Sequence, residues 1–359
     1  MFCDLTRAFD CVKHEILLQK LEVYGFRGAT LDWFRSYLSE RVQVVEIGGC
    51  ASKPLKVTAG IPQGSVLGPL LFLLYVNDLP TININGTFTI FADDTTICWH
   101  HKNHEILQDI VAQDLIKIRE WCSSNLLVFN VSKTHILNFR CSFDILINDQ
   151  PIDNAETIKF LGLHIDSELK FETHLQNLSG RLSSGCYALR VISGELDESI
   201  AKNAYFALIE SHLRYGISLW GACSQTLFGS IFVLQKRALR YLSHAKPRDS
   251  CKPLFIKHKI LTLPCIFIME TVCLIFRKFN NEINSVSSYN TRSINCASLP
   301  IPSSTMTKNS IIYNSKKLFN KLPLNLRQMN SFKKFRQEVK RLMVVKAYYS
   351  VSEFLCDSL

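Results

Sequence analysis

Three carboxylates stand out by type and spacing. Asp4 follows a short apolar start, Met1-Phe2-Cys3, and 89 residues later the adjacent pair Asp93-Asp94 separates two alternating stretches, Thr87 to Ala92 and Thr95 to Trp99. Alternation that puts Phe88, Ile90 and Ala92 on one face is a strand pattern, so the pair is expected at the tip of a tight hairpin. Carboxylate oxygens are the preferred ligands of Mg²⁺ or Mn²⁺. Two such ions roughly 3.5–4 Å apart can activate one oxygen and stabilise the leaving one during in-line phosphoryl transfer. Adjacent aspartates on an exposed turn are also ordinary surface features. What favours chemistry here is the preceding strand, whose half-buried β-forming residues would hold the carboxylates still.

The elements that must position these residues can be read from periodicity. Residues 12–24 and Thr30 to Leu38 read as helices, and Arg41 to Ile47 with Leu55 to Thr58 as a hairpin turning at Gly48-Gly49. After Gly60-Ile61-Pro62-Gln63-Gly64, the apolar run Ser65 to Leu79 reads as a helix buried on most sides, despite Pro69 near its start. His104 to Ser124 is an amphipathic helix, and strands are expected at Leu126 to Phe129, His135 to Phe139 and Ile158 to Ile165. Interleaved strands and helices predict an α+β layer, an antiparallel sheet with helices on one face. Beyond His174 the periodicity is helical throughout, at Leu175 to Ile192, Glu198 to Tyr215, Leu227 to Leu242, Leu263 to Phe279, Ser310 to Leu318 and Ser331 to Tyr348.

Composition narrows the class. The 359 residues are 47% hydrophobic and 20% charged, which excludes a disordered or collagen-like chain. Thirteen cysteines, scattered and without CxxC or zinc-knuckle spacing, read as reduced thiols. The apolar runs Ser65 to Val76 and Leu261 to Phe276 fall short of the roughly 18 residues that a membrane span needs, so buried helices and no membrane partner are expected. The net charge of +10 is unevenly divided: residues 1–175 carry 15 Lys and Arg against 21 Asp and Glu, residues 176–359 carry 26 against 10. An acidic half beside a strongly basic one suits metal chemistry joined to a surface that holds a polyanion, although a solvated basic face would give the same count.

Five segments in order, Asp4-Leu5-Thr6-Arg7-Ala8-Phe9-Asp10, Gly60-Ile61-Pro62-Gln63-Gly64-Ser65, Phe91-Ala92-Asp93-Asp94, Asn130-Val131-Ser132-Lys133-Thr134 and Phe160-Leu161-Gly162, resemble the palm motifs of reverse transcriptases, those of non-LTR (LINE-like, jockey-type) retrotransposons above all. The resemblance implies a polymerase palm over residues 1–175, a helical thumb-like region over 176–280, a linker over 281–310 and basic C-terminal helices over 311–359. It implies Asp4 and Asp93 as metal ligands with Asp94 beside them, two Mg²⁺ or Mn²⁺ ions, deoxynucleoside triphosphates, an RNA template and a DNA primer. Phe9 would sit under the incoming sugar, where its ring leaves no room for a 2′-hydroxyl. Gln63 would reach the template base or nucleotide, with Gly60 and Gly64 allowing close backbone approach. Lys133 would stand near the leaving pyrophosphate, and Phe160, Leu161 and Gly162 would grip the primer end. Taken singly, these positions also read as a core aromatic, a helix-start turn, a solvated lysine and a plain strand.

Clusters Lys236-Arg237-Arg240, Lys333-Lys334-Arg336 and Lys340-Arg341 on the helical half would contact phosphates without reading sequence. Tyr215, Trp220, Tyr241 and Phe332 among them are expected mainly in the core, with base stacking the other use. The family's fingers and endonuclease module would precede Asp4, so an N-terminally truncated polymerase with its fingers missing is expected, intracellular and nuclear with a cytoplasmic stage, its oligomeric state open. A catalytically silent nucleic-acid-binding remnant is the alternative. A two-metal nuclease shares the carboxylates but has no use for Phe9 or the Pro-Gln-Gly turn.

Overall fold

The computed structural model describes residues 1–139, 145–147, 150–283, 297, 299 and 301–358. The chain divides into two units, Met1–Ile158 and Lys159–Leu359.

In the first unit the elements run β1 (Phe2–Cys3), α1 (His14–Val23), α2 (Gly28–Leu38), β2 (Val42–Gln43), β3 (Glu46–Ile47), β4 (Cys50–Ala51), β5 (Leu55–Lys56), α3 (Gly68–Val76), β6 (Thr87–Phe91), β7 (Asp94–Cys98), α4 (His104–Ser124), β8 (His135–Ile136), β9 (Leu146–Ile147), β10 (Gln150–Pro151) and β11 (Asp153–Asn154). Five of these strands form one sheet in the order β11-β8-β1-β7-β6. The sheet is mixed rather than wholly antiparallel, because β11 runs parallel to β8. The short β1 lies between β7 and β8, with Phe2 opposite Thr96 and Cys3 opposite Thr95.

Helix burial follows the sequence periodicity. α1 turns in Leu17 and Leu21, α2 Leu31, Phe34 and Leu38, α3 Leu71, Phe72, Tyr75 and Val76, and α4 Leu107, Val111, Leu115, Ile118 and Cys122. These form one core with Met1, Cys3, Val12 and Ile97. Pro69 lies in the first turn of α3, where its missing N–H has no helical acceptor to lose. The expected strand at Leu126 to Phe129 reduces to a single bridge between Phe129 and Leu5.

The second unit begins within β12 (Thr157–Phe160), which pairs with β13 (Leu163–Asp166). The stretch Ile158 to Ile165 is therefore a hairpin turned at Leu161-Gly162, not one strand. Both turn residues have positive φ, 44° and 82°. Helices follow: α5 (Glu172–Glu195), α6 (Glu198–Tyr205), α7 (Ser211–Arg214), α8 (Ile217–Trp220), α9 (Gln225–Leu242), α10 (Lys252–His258), α11 (Leu263–Ile283), α12 (Thr305–Asn309), α13 (Ile311–Lys321), α14 (Leu324–Arg327), α15 (Phe332–Lys346) and α16 (Val351–Cys356). Glu198 to Tyr215 is not one α-helix, because a π-helical turn, Phe206–Glu210, lies between α6 and α7. α5 closes on that turn at Gly185, where a Cβ would stand 2.9 Å from the Leu208 carbonyl oxygen. The apolar run Leu263 to Phe276 is the centre of the second core, with Leu263, Cys265, Ile266, Ile268, Val272 and Ile275 all buried. Among the described residues no single helix is long and apolar enough to cross a membrane. Half of the segment assigned as a linker, 281–310, lies outside the described residues.

Candidate active site

The hairpin of β6 and β7 carries the acidic pair, with its turn one residue earlier than the alternation suggests. Phe91 pairs with Asp94, so Ala92 and Asp93 make the two-residue turn and Asp94 opens β7. Ala92 takes φ +53°, the left-handed conformation that such turns require of non-glycine residues at a cost of roughly 1 kcal/mol. Continuing the antiparallel register of β1 and β7 past Cys3 and Thr95 brings Asp4 alongside Asp94.

A concave site of about 430 Å³ opens here, lined by Asp4, Arg7, Phe9, Asp10, Gln63, Asp93, Asn130 and Lys133 among others. Asp4, Phe9, Gln63, Asp93 and Lys133, read from four scattered stretches as one site, are thus brought together. The Asp94 carboxyl is raised above the ordinary carboxylate range, first by burial and then by the charges of Asp93 and Asp4. Three like charges converge at the hairpin tip.

One wall is tied to Asp4 itself and the other to residues 9–12. The Asn130 amide donates to the Asp4 carbonyl (2.9 Å), and the Asp4 amide donates to Thr134 Oγ1 (3.3 Å). The short 3₁₀ turn Val131–Lys133 is thereby fixed beside the first aspartate, presenting an exposed Lys133. Opposite, the Gly60 amide donates to the Val12 carbonyl (2.8 Å) and the Ile61 amide to the Phe9 carbonyl (3.0 Å). Gly60 sits at φ +91°, and a Cβ there would meet the Asp10 carbonyl oxygen at 3.1 Å. Glycine is required at that point because the turn crosses backbone against backbone. Gln63 Nε2 then donates to Asp10 Oδ1 (2.9 Å), and the Phe9 ring stacks on Phe72 of α3 with centroids 4.4 Å apart. Gly64 has φ +76° in the same turn.

Three residues absent from the sequence-based site contribute. Asp10 orients Gln63; its signal was a second acid six residues after Asp4. Asn130 lines the cavity and anchors Asp4. Asp114 is buried on α4 and accepts from the Asn85 amide (2.9 Å), the Gly86 amide (3.0 Å) and Trp99 Nε1 (2.8 Å). Those donors flank β6 and β7 at the end away from the tip, so Asp114 clamps the base of the acidic hairpin. Its signal was an acid within the apolar stripe of Val111, Leu115 and Ile118.

Phe160, Leu161 and Gly162 belong to the second unit. Tyr215, expected mainly in the core, is 54% exposed and its hydroxyl donates to the Leu161 carbonyl. Trp220 is buried; Tyr241 and Phe332 are partly buried and sit beneath Arg237 and Arg277 respectively. Of the basic clusters, Lys333, Lys334 and Arg336 are exposed on α15, and Arg237 is exposed on α9. Lys236 lies over the Phe232 ring, and Arg240 donates to the Asp249 carbonyl.

Among the described residues no group of three or more His, Cys, Asp or Glu is spaced to cage a metal. Asp4 and Asp93 offer two carboxylates, which is what Mg²⁺ takes when water and substrate phosphates complete its octahedron. The crowding that raises Asp94 is the electrostatic situation a cation relieves, so the residues fit.

An acidic hairpin tip, a partner aspartate and a neighbouring lysine meet at one cavity beside a mixed sheet, and residues 1–165 match the family described as reverse transcriptase (RNA-dependent DNA polymerase). These residues are a reverse transcriptase domain, homologous to those of non-LTR retrotransposon RNA-directed DNA polymerases. The chain is 26% identical over 254 residues to the probable RNA-directed DNA polymerase from transposon X-element of Drosophila melanogaster, covering 68% of this chain and 28% of the relative. It is 28% identical over 259 residues to that from transposon BS, and 26% over 259 residues to the RNA-directed DNA polymerase from mobile element jockey, both of the same organism and with the same coverage. The chain thus spans just over a quarter of the length of these relatives. Reverse transcriptases as a family use divalent metal ions.

Proposed function

We propose that residues 1–175 are the palm of an RNA-directed DNA polymerase, extending a DNA primer on an RNA template with deoxynucleoside triphosphates. The observation that carries this reading is the cavity shared by Asp4, Asp93, Phe9, Gln63 and Lys133. Asp4 and Asp93 would hold Mg²⁺ or Mn²⁺, two ions during reaction, with Asp94 adding negative potential. Bound there, the metal supplies charge stabilisation to the primer oxygen and the phosphoryl oxygens.

The chain's own residues do the rest. Phe9, braced on Phe72, forms a floor beneath the sugar that excludes a 2′-hydroxyl. Gln63, held by Asp10, presents its amide toward the base or nucleotide. Lys133, on its anchored turn, neutralises or protonates the departing pyrophosphate. Residues 1–175 act as palm and 176–280 as a thumb-like region, with the Phe160-Leu161-Gly162 turn at the primer end, 281–310 as a connection and the basic helices of 311–359 on phosphates.

The test is primer extension with Mg²⁺, an RNA template and a DNA primer, comparing the chain with Asp93→Asn. Extension reduced about a hundredfold or more in the variant is expected, since metal charge stabilisation is worth several kcal/mol. Equal signals from both would reject the enzyme and leave a nucleic-acid-binding remnant.

A further inference from the structure

A second cavity, of about 340 Å³, lies wholly within the second unit. Three elements build it: Gly162 and His164 from the β12–β13 hairpin, His174, Asn177, Leu178 and Arg181 from α5, and Ser211 and His212 from α7 with Tyr215 just beyond its end. The α5 residues recur at three and four positions, so they form a single stripe facing the cavity. The Tyr215 hydroxyl bonds to the Leu161 carbonyl and holds the hairpin turn against the helix, which fixes the wall.

The lining is one-sided in charge. It offers a guanidinium and three imidazoles, with serine, asparagine and tyrosine, and no carboxylate or thiol. His174 is 7% exposed, and its Nε2 is buried without a hydrogen-bond partner. An unpaired buried ring nitrogen costs stability that a ligand would recover. Burial, followed by the positive potential of His164 and Arg181, pulls His174 down to about 4. Such a site repels a cation, and among the described residues no three ligating side chains are spaced for a metal. Leu178 is the single aliphatic lining residue, so an apolar ligand would leave the polar groups unpaired. A tetrahedral oxyanion suits the donors left over, the Arg181 guanidinium, the imidazoles and the second amide N–H of Asn177, since the Tyr215 and Ser211 hydroxyls already donate to the Leu161 and Ala207 carbonyls.

We propose that this cavity seats a phosphate group carried by a nucleic-acid strand, with Arg181, His164 and His212 at its mouth and His174 at its floor. The strand as carrier rests on the polymerase reading; the phosphate chemistry rests on the lining itself.

The test uses the full chain with ¹³C-labelled histidine rings, titrated with inorganic phosphate at pH 7. A saturable shift of the His174 and His212 signals is expected, assigned by their loss in His174→Gln and His212→Gln. The affinity should weaken at least tenfold in Arg181→Gln, an exposed position whose change leaves the core intact. Bound phosphate, followed by its ³¹P linewidth, is then challenged with two oligonucleotides of one sequence, one with internal diesters alone and one bearing a 5′-terminal phosphate. Displacement by both assigns the backbone, and displacement by the second alone assigns a strand end; either upholds the proposal. Absence of a saturable shift, equal affinity in Arg181→Gln (an adventitious ion only), or phosphate that neither oligonucleotide displaces overturns it. No readout depends on polymerisation, so a chain that binds here yet fails in primer extension would sink the polymerase reading by itself.

Discussion

Asp114 lies outside the cavity, yet its replacement should disturb both stability and chemistry. In Asp114→Ala the amides of Asn85 and Gly86 and the indole N–H of Trp99 lose one shared acceptor. Each stranded donor costs roughly 1–3 kcal/mol when water cannot replace the bond, and a bond to a charged acceptor lies at the upper end. Asn85 is exposed and recovers water, whereas Gly86 and Trp99 are half-buried, so the sum comes to about 3–4 kcal/mol. For a unit of this size that lowers the melting midpoint by roughly 6–16 °C. Asp114→Asn keeps the shape and one acceptor, and should cost about half as much. Denaturant unfolding followed by tryptophan fluorescence reads the effect, since Trp33, Trp99 and Trp121 belong to the first unit and Trp220 alone to the second. Primer extension should fall with stability, because the base of the acidic hairpin loosens. An Asp114→Ala chain unfolding within 1 kcal/mol of the parent would refute the clamp.

Gly60→Ala forces a side chain into φ +91° and against the Asp10 backbone, and should cost roughly 1–2 kcal/mol in denaturant unfolding while weakening nucleotide use through Gln63. Phe9→Val opens the floor beneath the sugar, and the ratio of ribonucleotide to deoxyribonucleotide incorporation should rise at least about tenfold, roughly 1.4 kcal/mol of discrimination. His174, neutral in the fold with a folded value near 4 against about 6.5 unfolded, binds its proton more readily in the unfolded chain. Stability should therefore be fully present above pH 6.5 and decline by about 2–3 kcal/mol as pH falls toward 4, a slope that His174→Gln should flatten in acid titration.

Much of this architecture was legible because local pattern and tertiary demand agree. α4 was bounded by its own stripe from His104 to Ser124, with Asn103 accepting from the Glu105 and Ile106 amides at its start. The candidate cluster around Asp4 was legible because its residues lie in short segments whose turns are encoded locally, Gly60 and Gly64 in one and the alternation ending at Ala92 in another. Less was legible where single residues take unusual conformations: Ala92 at positive φ moved the hairpin turn by one position, and Leu161 at φ 44° folded an apparent strand back on itself. The exposed Tyr215 was misread for a similar reason, since its hydrogen bond to Leu161 is a long-range fact that helical periodicity does not carry. The parallel β11 depends on a connection that no short window reports.

The wide turn at Phe206–Glu210 has a consequence for how this chain tolerates change. A π turn holds one more residue than an α turn, so everything after it is rotated by about 100° relative to an uninterrupted helix. Ser211, His212 and Tyr215 owe their common orientation to that count rather than to their identities alone. Removing one residue from the turn would leave composition, charge and helix content almost untouched while swinging all three away from Arg181 and His174. Length at this one place acts as a phase setting.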